Sequence, residues 1–293
     1  MNEAGFISAL RALATHPAAR GLADDCAVLD LGGEALVLTH DAMAEGVHYL
    51  PGQDPADVAW KLVATNLSDL AAKGAQPLGV LLGYMFGADD ARFLAGLEEA
   101  LAAFHVPLLG GDTISGTGAQ VLGLTALGRA THRPVPSRAG AQPGDCLYLT
   151  GPVGGAMMGC EAMQAGTGED STAYRRPRAL LAEGRALAPV AHAMMDVSDG
   201  LLLDSWRMAQ ASGVTVAIHS AMVPLAAPEA RRADALRWGD DYQLLLAAPE
   251  GIAPPVPLYP VGRILPRGAS PLVLDGAAMT DPAGLGYQHA GRP

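Results

Sequence analysis

Short apolar runs alternate with helical patterns over the first 130 residues. AVLDL (27–31), ALVLTH (35–40), VLLGYMF (80–86), VPLLGG (106–111) and VLGLTALGRA (121–130) have the length and apolar content of strands. Segments 55–73 and 89–104 instead repeat apolar residues at helical spacing. Gly32-Gly33 between the first two runs is a two-residue hairpin signal. With that turn Leu31 pairs with Glu34, and the same register carried outward sets Asp24 against Asp41 and Asp25 against His40. Like charges facing across a ladder repel, so either both aspartates are solvated strand ends or a cation sits between them.

The helix over 55–73 has a full start signal, with Asp54 as N-cap, Pro55 at the first helical position and Asp57 three on from the cap. Ala59, Val63, Leu67 and Leu70 form the buried stripe, and Gly74 and Pro77 stop it. Asn66 and Asp69 lie beside that stripe. The simplest account leaves Asp69 solvated and paired with Lys73 at i+4; the sharper one aims it into a site.

The segment THRPVPSRAGAQPGD (131–145) has the composition of a connection. Beyond it come a strand CLYLTG, a glycine-rich turn GPVGGAMMG opening a helix, a strand AHAMMDV, a helix over 200–211, a strand VTVAIH and a Pro-rich last third. The pattern predicts an α+β chain of two domains, 1–135 and 136–293, with the boundary near 131–140. The opening MNEAGFISALRALATHPAAR reads as an amphipathic helix, not a signal peptide.

Composition narrows the function. Half of the 293 residues are hydrophobic and 17% charged, enough for a sizeable core, and no apolar run reaches membrane-span length. Three cysteines without a CxxC pair argue against a disulfide framework or zinc and suit a reducing cytoplasm. A net charge of −11 disfavours nucleic acid and anionic membranes as partners. Lys61 and Lys73 are the only lysines, and no GxxxxGK[ST] exists, which excludes a P-loop. If phosphates are handled, something other than lysine must neutralise them.

The carboxylates supply a candidate. Asp112 in GGDT follows an apolar run, where glycines let backbone approach a ligand. Asp196 and Asp199 in DVSDG sit at a strand-to-helix junction with Ser198 as cap, and Asp240 and Asp241 in WGDDYQLL precede another strand. Each alone reads as a turn or cap aspartate, His48 alone as structural, and the methionine pairs as core. Together with Asp24, Asp41 and Asp69, the aspartates suggest Mg²⁺, which prefers oxygen ligands and bridges carboxylates to substrate phosphates.

The motifs GLADDCAVLDL, LTHDAMAEGVHYLP, WKLVATNLSDLAAKGAQPLGVLLG, LLGGDT, SRAGAQPGDCLYLTG, MMDVSDGLLLD and WGDDYQLL resemble, in order, those of the thiamine-monophosphate kinase family. That family lies in the superfamily of aminoimidazole ribonucleotide synthetase and selenophosphate synthetase. The resemblance implies two α+β domains, a homodimer built by N-terminal strands, and Mg²⁺-dependent transfer from ATP to thiamine monophosphate. By position it implies Asp24, Thr39, Asp41, Asp69, Asp112, Asp196 and Asp199 as ligands of several Mg²⁺ ions. It places Gly111, Asp112, Arg138 and Ser198 on ATP, and His48 and Asp240 on the thiamine substrate. Two other readings are an enzyme of the same superfamily that activates an amide or another oxygen, and an inactive nucleotide-binding regulator. Four departures stand out: Ala23 before Asp24, His40 where Thr or Ser is usual, WGDD for GGED, and Ala290 where an aromatic follows the histidine. Tyr287 or Trp238 could then supply the stacking face.

Overall fold

The computed structural model describes residues 3–289. The opening helix α1 (Glu3–Arg11) precedes β1 (Ala27–Leu31), β2 (Glu34–Ala44), α2 (Pro55–Ala72), β3 (Ala75–Met85), α3 (Asp90–Phe104), β4 (Leu108–Ile114) and β5 (Val121–Ala130). The five strands form one sheet in the order β1-β2-β5-β3-β4, antiparallel except for the β3–β4 pair at its edge. The hairpin register is the expected one, from Leu31↔Glu34 to Ala27↔Leu38.

The ladder stops there. Asp24 and Asp25 lie in a bend beyond it, so neither faces Asp41 or His40 across a strand pair; on the other edge of β2, His40 and Asp41 pair with Thr125 and Leu124 of β5. The physical reason is the buried Lys73, with the half-buried Arg20 and Arg138, which hold both aspartates away from the ladder, as described below.

Helix α2 is the centre of the molecule. Asp54 caps it by accepting from the Ala56 amide at 2.9 Å. Every residue of it except Pro55 and Trp60 is buried. Its apolar stripe packs on the sheet, and α3 crosses it where Gly96 meets Ala56: a Cβ there would stand 2.3 Å from the Ala56 backbone. Its polar side faces the other half of the chain, not solvent.

That half contains β6 (Cys146–Leu149), α4 (Gly155–Ala165), α5 (Thr172–Arg175), α6 (Leu181–Leu187), β7 (Ala193–Asp196), α7 (Leu201–Ser212), β8 (Thr215–Ile218), α8 (Arg232–Ala235), β9 (Leu244–Ala248), β10 (Tyr259–Leu265), β11 (Leu272–Leu274) and β12 (Ala277–Met279). Its seven strands run β12-β11-β8-β10-β6-β9-β7, and α7 covers a core that includes Leu147, Met195, Val216 and Leu245. Helix α6 returns to α2, where Gly184 sits so close to the Ala71 carbonyl that a Cβ would come within 2.0 Å. The Trp60 indole donates to the Pro177 carbonyl at 3.0 Å. These contacts set α2 between the two sheets. No helix among the described residues is long and apolar enough to cross a membrane.

Candidate active site

A cavity of about 730 Å³ opens where the polar side of α2 meets the second sheet. Asp41, His48, Lys61 and Asp69 line it from the first half of the chain; Arg138, Asp196, Ser198, Asp199, Arg207 and Asp240 line it from the second. Strand β2 brings Asp41 to its wall, α2 brings Asp69, and the end of β7 brings Asp196. One carboxylate oxygen each from Asp25, Asp69 and Asp196 lie within 4.8 Å of one another.

Neighbours fix these groups. Asn66 Oδ1 accepts from the Asp41 amide at 2.9 Å, so the asparagine one turn before Asp69 holds the strand that carries Asp41. Thr39 Oγ1 donates to Asp69 Oδ2, and Ser68 Oγ donates to Asp196 Oδ2 at 2.6 Å. The expected pair between Asp69 and Lys73 does not form, because Lys73 turns back from the helix end to Asp24 and Asp25.

Two electrostatic regimes meet at this point. Burial and the nearby Asp41 push the Asp69 carboxyl well above its ordinary range. Burial likewise raises Asp196 to about 8 and Asp41 to about 6, with neighbouring aspartates adding to it. None of these three is ion-paired among the described residues. Asp24 and Asp25 behave oppositely. Burial would raise them too, but Lys73, Ser137 and Arg20 together outweigh it at Asp24, and Arg138 and Lys73 together at Asp25, so both are lowered. Lys73 Nζ lies 2.5 Å from Asp24 Oδ1 and 2.6 Å from Asp25 Oδ2. Arg20 Nη1 lies 2.5 Å from Asp24 Oδ2, and Arg138 pairs with the other oxygen of Asp25.

Asp199 reaches the cavity but is paired with Arg207, which also holds the buried Asp204 at 3.0 Å. Ser198 lies beside it, and its carbonyl accepts from the Asp240 amide at 2.8 Å. Arg138 Nε is buried with no hydrogen-bond partner among the described residues, a donor left unspent in the cavity wall.

The far end of the cavity is organised by Lys61, which is 1% exposed. Its Nζ donates to the His48 carbonyl at 2.9 Å and to Asp240 Oδ2 at 2.7 Å, and it stands 3.9 Å from the centre of the Tyr174 ring. His48 Nδ1 accepts from the Ala44 amide at 3.0 Å, which places the ring proton on Nε2. Burial and the nearby His289 lower the His48 pKa and keep it neutral. Trp238 and Tyr287 line the same end, and the His289 ring lies 5.3 Å from that of His48. Ala290 lies outside the described residues.

Some expected residues are elsewhere. Gly111 and Asp112 sit on β4, an exposed edge strand that does not line the cavity. Gly111 is pressed so tightly on β3 that a Cβ would come 1.9 Å from the Leu82 carbonyl. The glycine-rich turn before α4 is already filled: Asp241 accepts from the Gly154 amide at 2.9 Å with both oxygens. Asp25, Lys61, Lys73 and Arg207 line or brace the site although the sequence reading did not expect them as site residues. The two lysines carried a signal, being the chain's only ones, whereas nothing local marks Arg207.

Residues 23–130 match the model of the AIR synthase related protein N-terminal domain, and 142–253 that of its C-terminal domain. The chain is 40% identical over 254 residues to the thiamine-monophosphate kinase of Caulobacter vibrioides, covering 79% of this chain and 72% of that one. It is 34% identical over 253 residues to the Escherichia coli K12 enzyme of the same name, covering 78% and 76%. The solved structure of AaThiL complexed with AMPPCP and TMP superposes with a TM-score of 0.87 at 26% identity, over 98% of this chain and 97% of that one. Thiamine-monophosphate kinase from Stenotrophomonas maltophilia K279a gives 0.77 at 30%, over 94% and 96%. The hydrogenase maturation protein HypE, at 20% identity and 0.69 over 83% of each chain, shares the fold. The matches span both halves of the chain, and not one domain alone, and the chain belongs to the thiamine-monophosphate kinase family.

Proposed function

We infer that the protein transfers the γ-phosphoryl group of ATP to the phosphate of thiamine monophosphate, giving thiamine diphosphate. The observation that carries this is the likeness, over nearly the whole chain, to a structure complexed with AMPPCP and TMP. Donor and acceptor are both phosphates, so the main physical obstacle is the repulsion of two anions, and positioning with charge neutralisation supplies most of the rate.

The residues of the cleft suit that task. Arg138, with its unspent Nε, and Ser198 are the nucleotide contacts in this reading. His48 presents the Nε2 proton to the thiamine substrate, Asp240 is held toward it by Lys61 and Tyr242, and Trp238 or Tyr287 offers the stacking face. No side chain has to become a covalent nucleophile.

The converging oxygens of Asp25, Asp69 and Asp196 fit Mg²⁺, whose hard-oxygen preference they match. Asp25, Asp69 and Asp196 would hold it, with Thr39 fixing Asp69 and with Asp41 and Asp199 on the cavity wall beside them. When bound, Mg²⁺ would neutralise phosphate oxygens. Asp24 and Asp112, also expected as ligands, do not share this centre.

A homodimer through the exposed edge strand belongs to the same reading. Leu108, Leu109 and Ile114 on β4 are all exposed, as are Leu81 and Val121 on neighbouring strands, an apolar set that a second copy would cover. Such pairing gives Gly111 and Asp112 a place at a nucleotide site shared by two copies. Three free, buried cysteines suit a cytoplasmic enzyme. Purified protein with ATP, Mg²⁺ and thiamine monophosphate should form thiamine diphosphate and ADP in equal amounts. Hydrolysis of ATP without the second product would refute the assignment.

A further inference from the structure

Both lysines of the chain are spent inside the fold: Lys73 on Asp24 and Asp25, and Lys61 on the His48 carbonyl and Asp240. Anion recognition in the cavity therefore falls to arginine, and Arg138, Arg207 and Arg237 line it. Arg138 is paired with Asp25, and Arg207 with Asp199 and Asp204. Arg237 alone of these meets no carboxylate among the described residues. Its Nε donates to the Gly284 carbonyl at 3.1 Å and its Nη1 to the Ala233 carbonyl at 2.7 Å. A carbonyl fixes a guanidinium but brings no formal negative charge to cancel it. The other N–H groups of Arg237, both of those on Nη2 included, have no acceptor among the described residues. An uncompensated cation, held from two segments of the chain and lining a cleft, is pre-organised for an anion.

Its surroundings say which anion. Arg237 immediately precedes Trp238, and Gly284 stands shortly before Tyr287, so the guanidinium is tied to both segments that carry the stacking faces. Gly200 packs so closely on the same segment that a Cβ would come 2.6 Å from the Arg237 carbonyl, and the Tyr287 amide donates to the Asp199 carbonyl at 2.9 Å. The segment of Arg237 thus joins the aromatic end of the cavity to the turn that carries Ser198 and Asp199. We propose that Arg237 is a specificity-determining residue: it binds the phosphate monoester of the substrate that receives the phosphoryl group, and so separates thiamine monophosphate from free thiamine. The proposal rests on the reading above that thiamine monophosphate is that substrate. The thiazolium of the ring system is itself a cation and is repelled by an arginine, whereas the phosphate brings a charge of about −1.5 to −2 at pH 7. Asp240 and the aromatic faces read the ring, and Arg237 reads the phosphate.

Titration calorimetry on the full chain with Mg²⁺ and saturating AMPPCP, using thiamine monophosphate and thiamine as separate ligands, tests this apart from turnover. The wild type should bind the monophosphate more tightly than thiamine. Arg237→Met should weaken monophosphate binding roughly tenfold or more, the loss expected for a hydrogen bond between charged groups, and leave thiamine binding unchanged. Arg237→Gln, with the same loss expected, serves if Arg237→Met does not fold. Arg237→Lys, which keeps the charge but not the hold on both carbonyls, should fall between the wild type and Arg237→Met. In steady-state assays Arg237→Met should raise the KM for thiamine monophosphate and leave that for ATP. An equal loss for both ligands would make Arg237 a brace for residues 284–287, and a rise confined to ATP would move it to the nucleotide; either result overturns the proposal, as does unchanged binding of the monophosphate. A wild type that binds thiamine as tightly as its monophosphate overturns it too. A wild type that binds neither ligand sinks the phosphoryl-transfer reading itself, and the proposal with it.

Discussion

Raising the pH of the metal-free protein from 5 to 8 should destabilise it, and Mg²⁺ should remove much of that slope. Asp196 is raised to about 8 from an ordinary 3.8 in the folded state. The fold holds that proton more tightly than the unfolded chain does, so its contribution is complete below 3.8 and is lost as pH rises through 8. Linkage makes this worth about 4 kcal/mol at pH 5 and about 0.4 kcal/mol at pH 8. Asp41, raised to about 6, adds about 1.4 kcal/mol at pH 5 and nothing at pH 8. At about 2.1 cal/mol/K per residue, a 293-residue chain that loses about 3–5 kcal/mol melts about 5–8 °C lower. Asp24 and Asp25 are lowered and act only below this window, whereas the lowered His48 works in the opposite sense around 6.5. Asp204 and Asp241, each raised to about 7, slope the same way as Asp196 but lie outside the proposed metal set. Mg²⁺ should therefore flatten the slope without abolishing it. Scanning calorimetry at pH 5, 6, 7 and 8 in EDTA and in Mg²⁺ measures both. At a hundred times its dissociation constant Mg²⁺ adds about 2.7 kcal/mol, and that increment should be present at pH 8 and small at pH 5, where protons hold the same oxygens. An equal Mg²⁺ increment at both ends would refute the reasoning.

Three other outcomes follow from the same geometry. Asp69→Asn should cut turnover roughly a hundredfold or more while its melting temperature in EDTA at pH 8 stays level or rises, because a buried, unpaired carboxylate is removed; undiminished activity would take Asp69 out of the centre. His48→Ala should raise the KM for thiamine monophosphate more than that for ATP in steady-state assays, and the reverse split would overturn its assignment to the acceptor. Ile114→Glu, at the end of the exposed edge strand β4, should turn the proposed dimer into a monomer in sedimentation at micromolar concentration, and an unaltered dimer would place the interface elsewhere.

The sequence by itself determined the local elements and the chemical character of the site. Hairpin register follows from a two-residue glycine turn, and the start of α2 from Asp54 and Pro55, because turns and caps are settled by a few adjacent residues. Aspartates at strand ends announced oxygen chemistry for the same local reason, and the family resemblance placed Asp41, Asp69, Asp196, Asp199, His48 and Asp240 in one cleft, where the structure also has them. Only the tertiary structure decided which charges neutralise which. Helical periodicity made Lys73 the partner of Asp69 four residues earlier, but burial of the helix end beside the bend at 24–25 redirected it to carboxylates 48 and 49 residues away. Periodicity likewise assumed a wet polar face for α2, whereas that face is buried against the second half of the chain. Ion pairing in a buried site depends on distances between segments far apart in the chain and on the water excluded between them, and neither quantity is written in any local stretch of sequence.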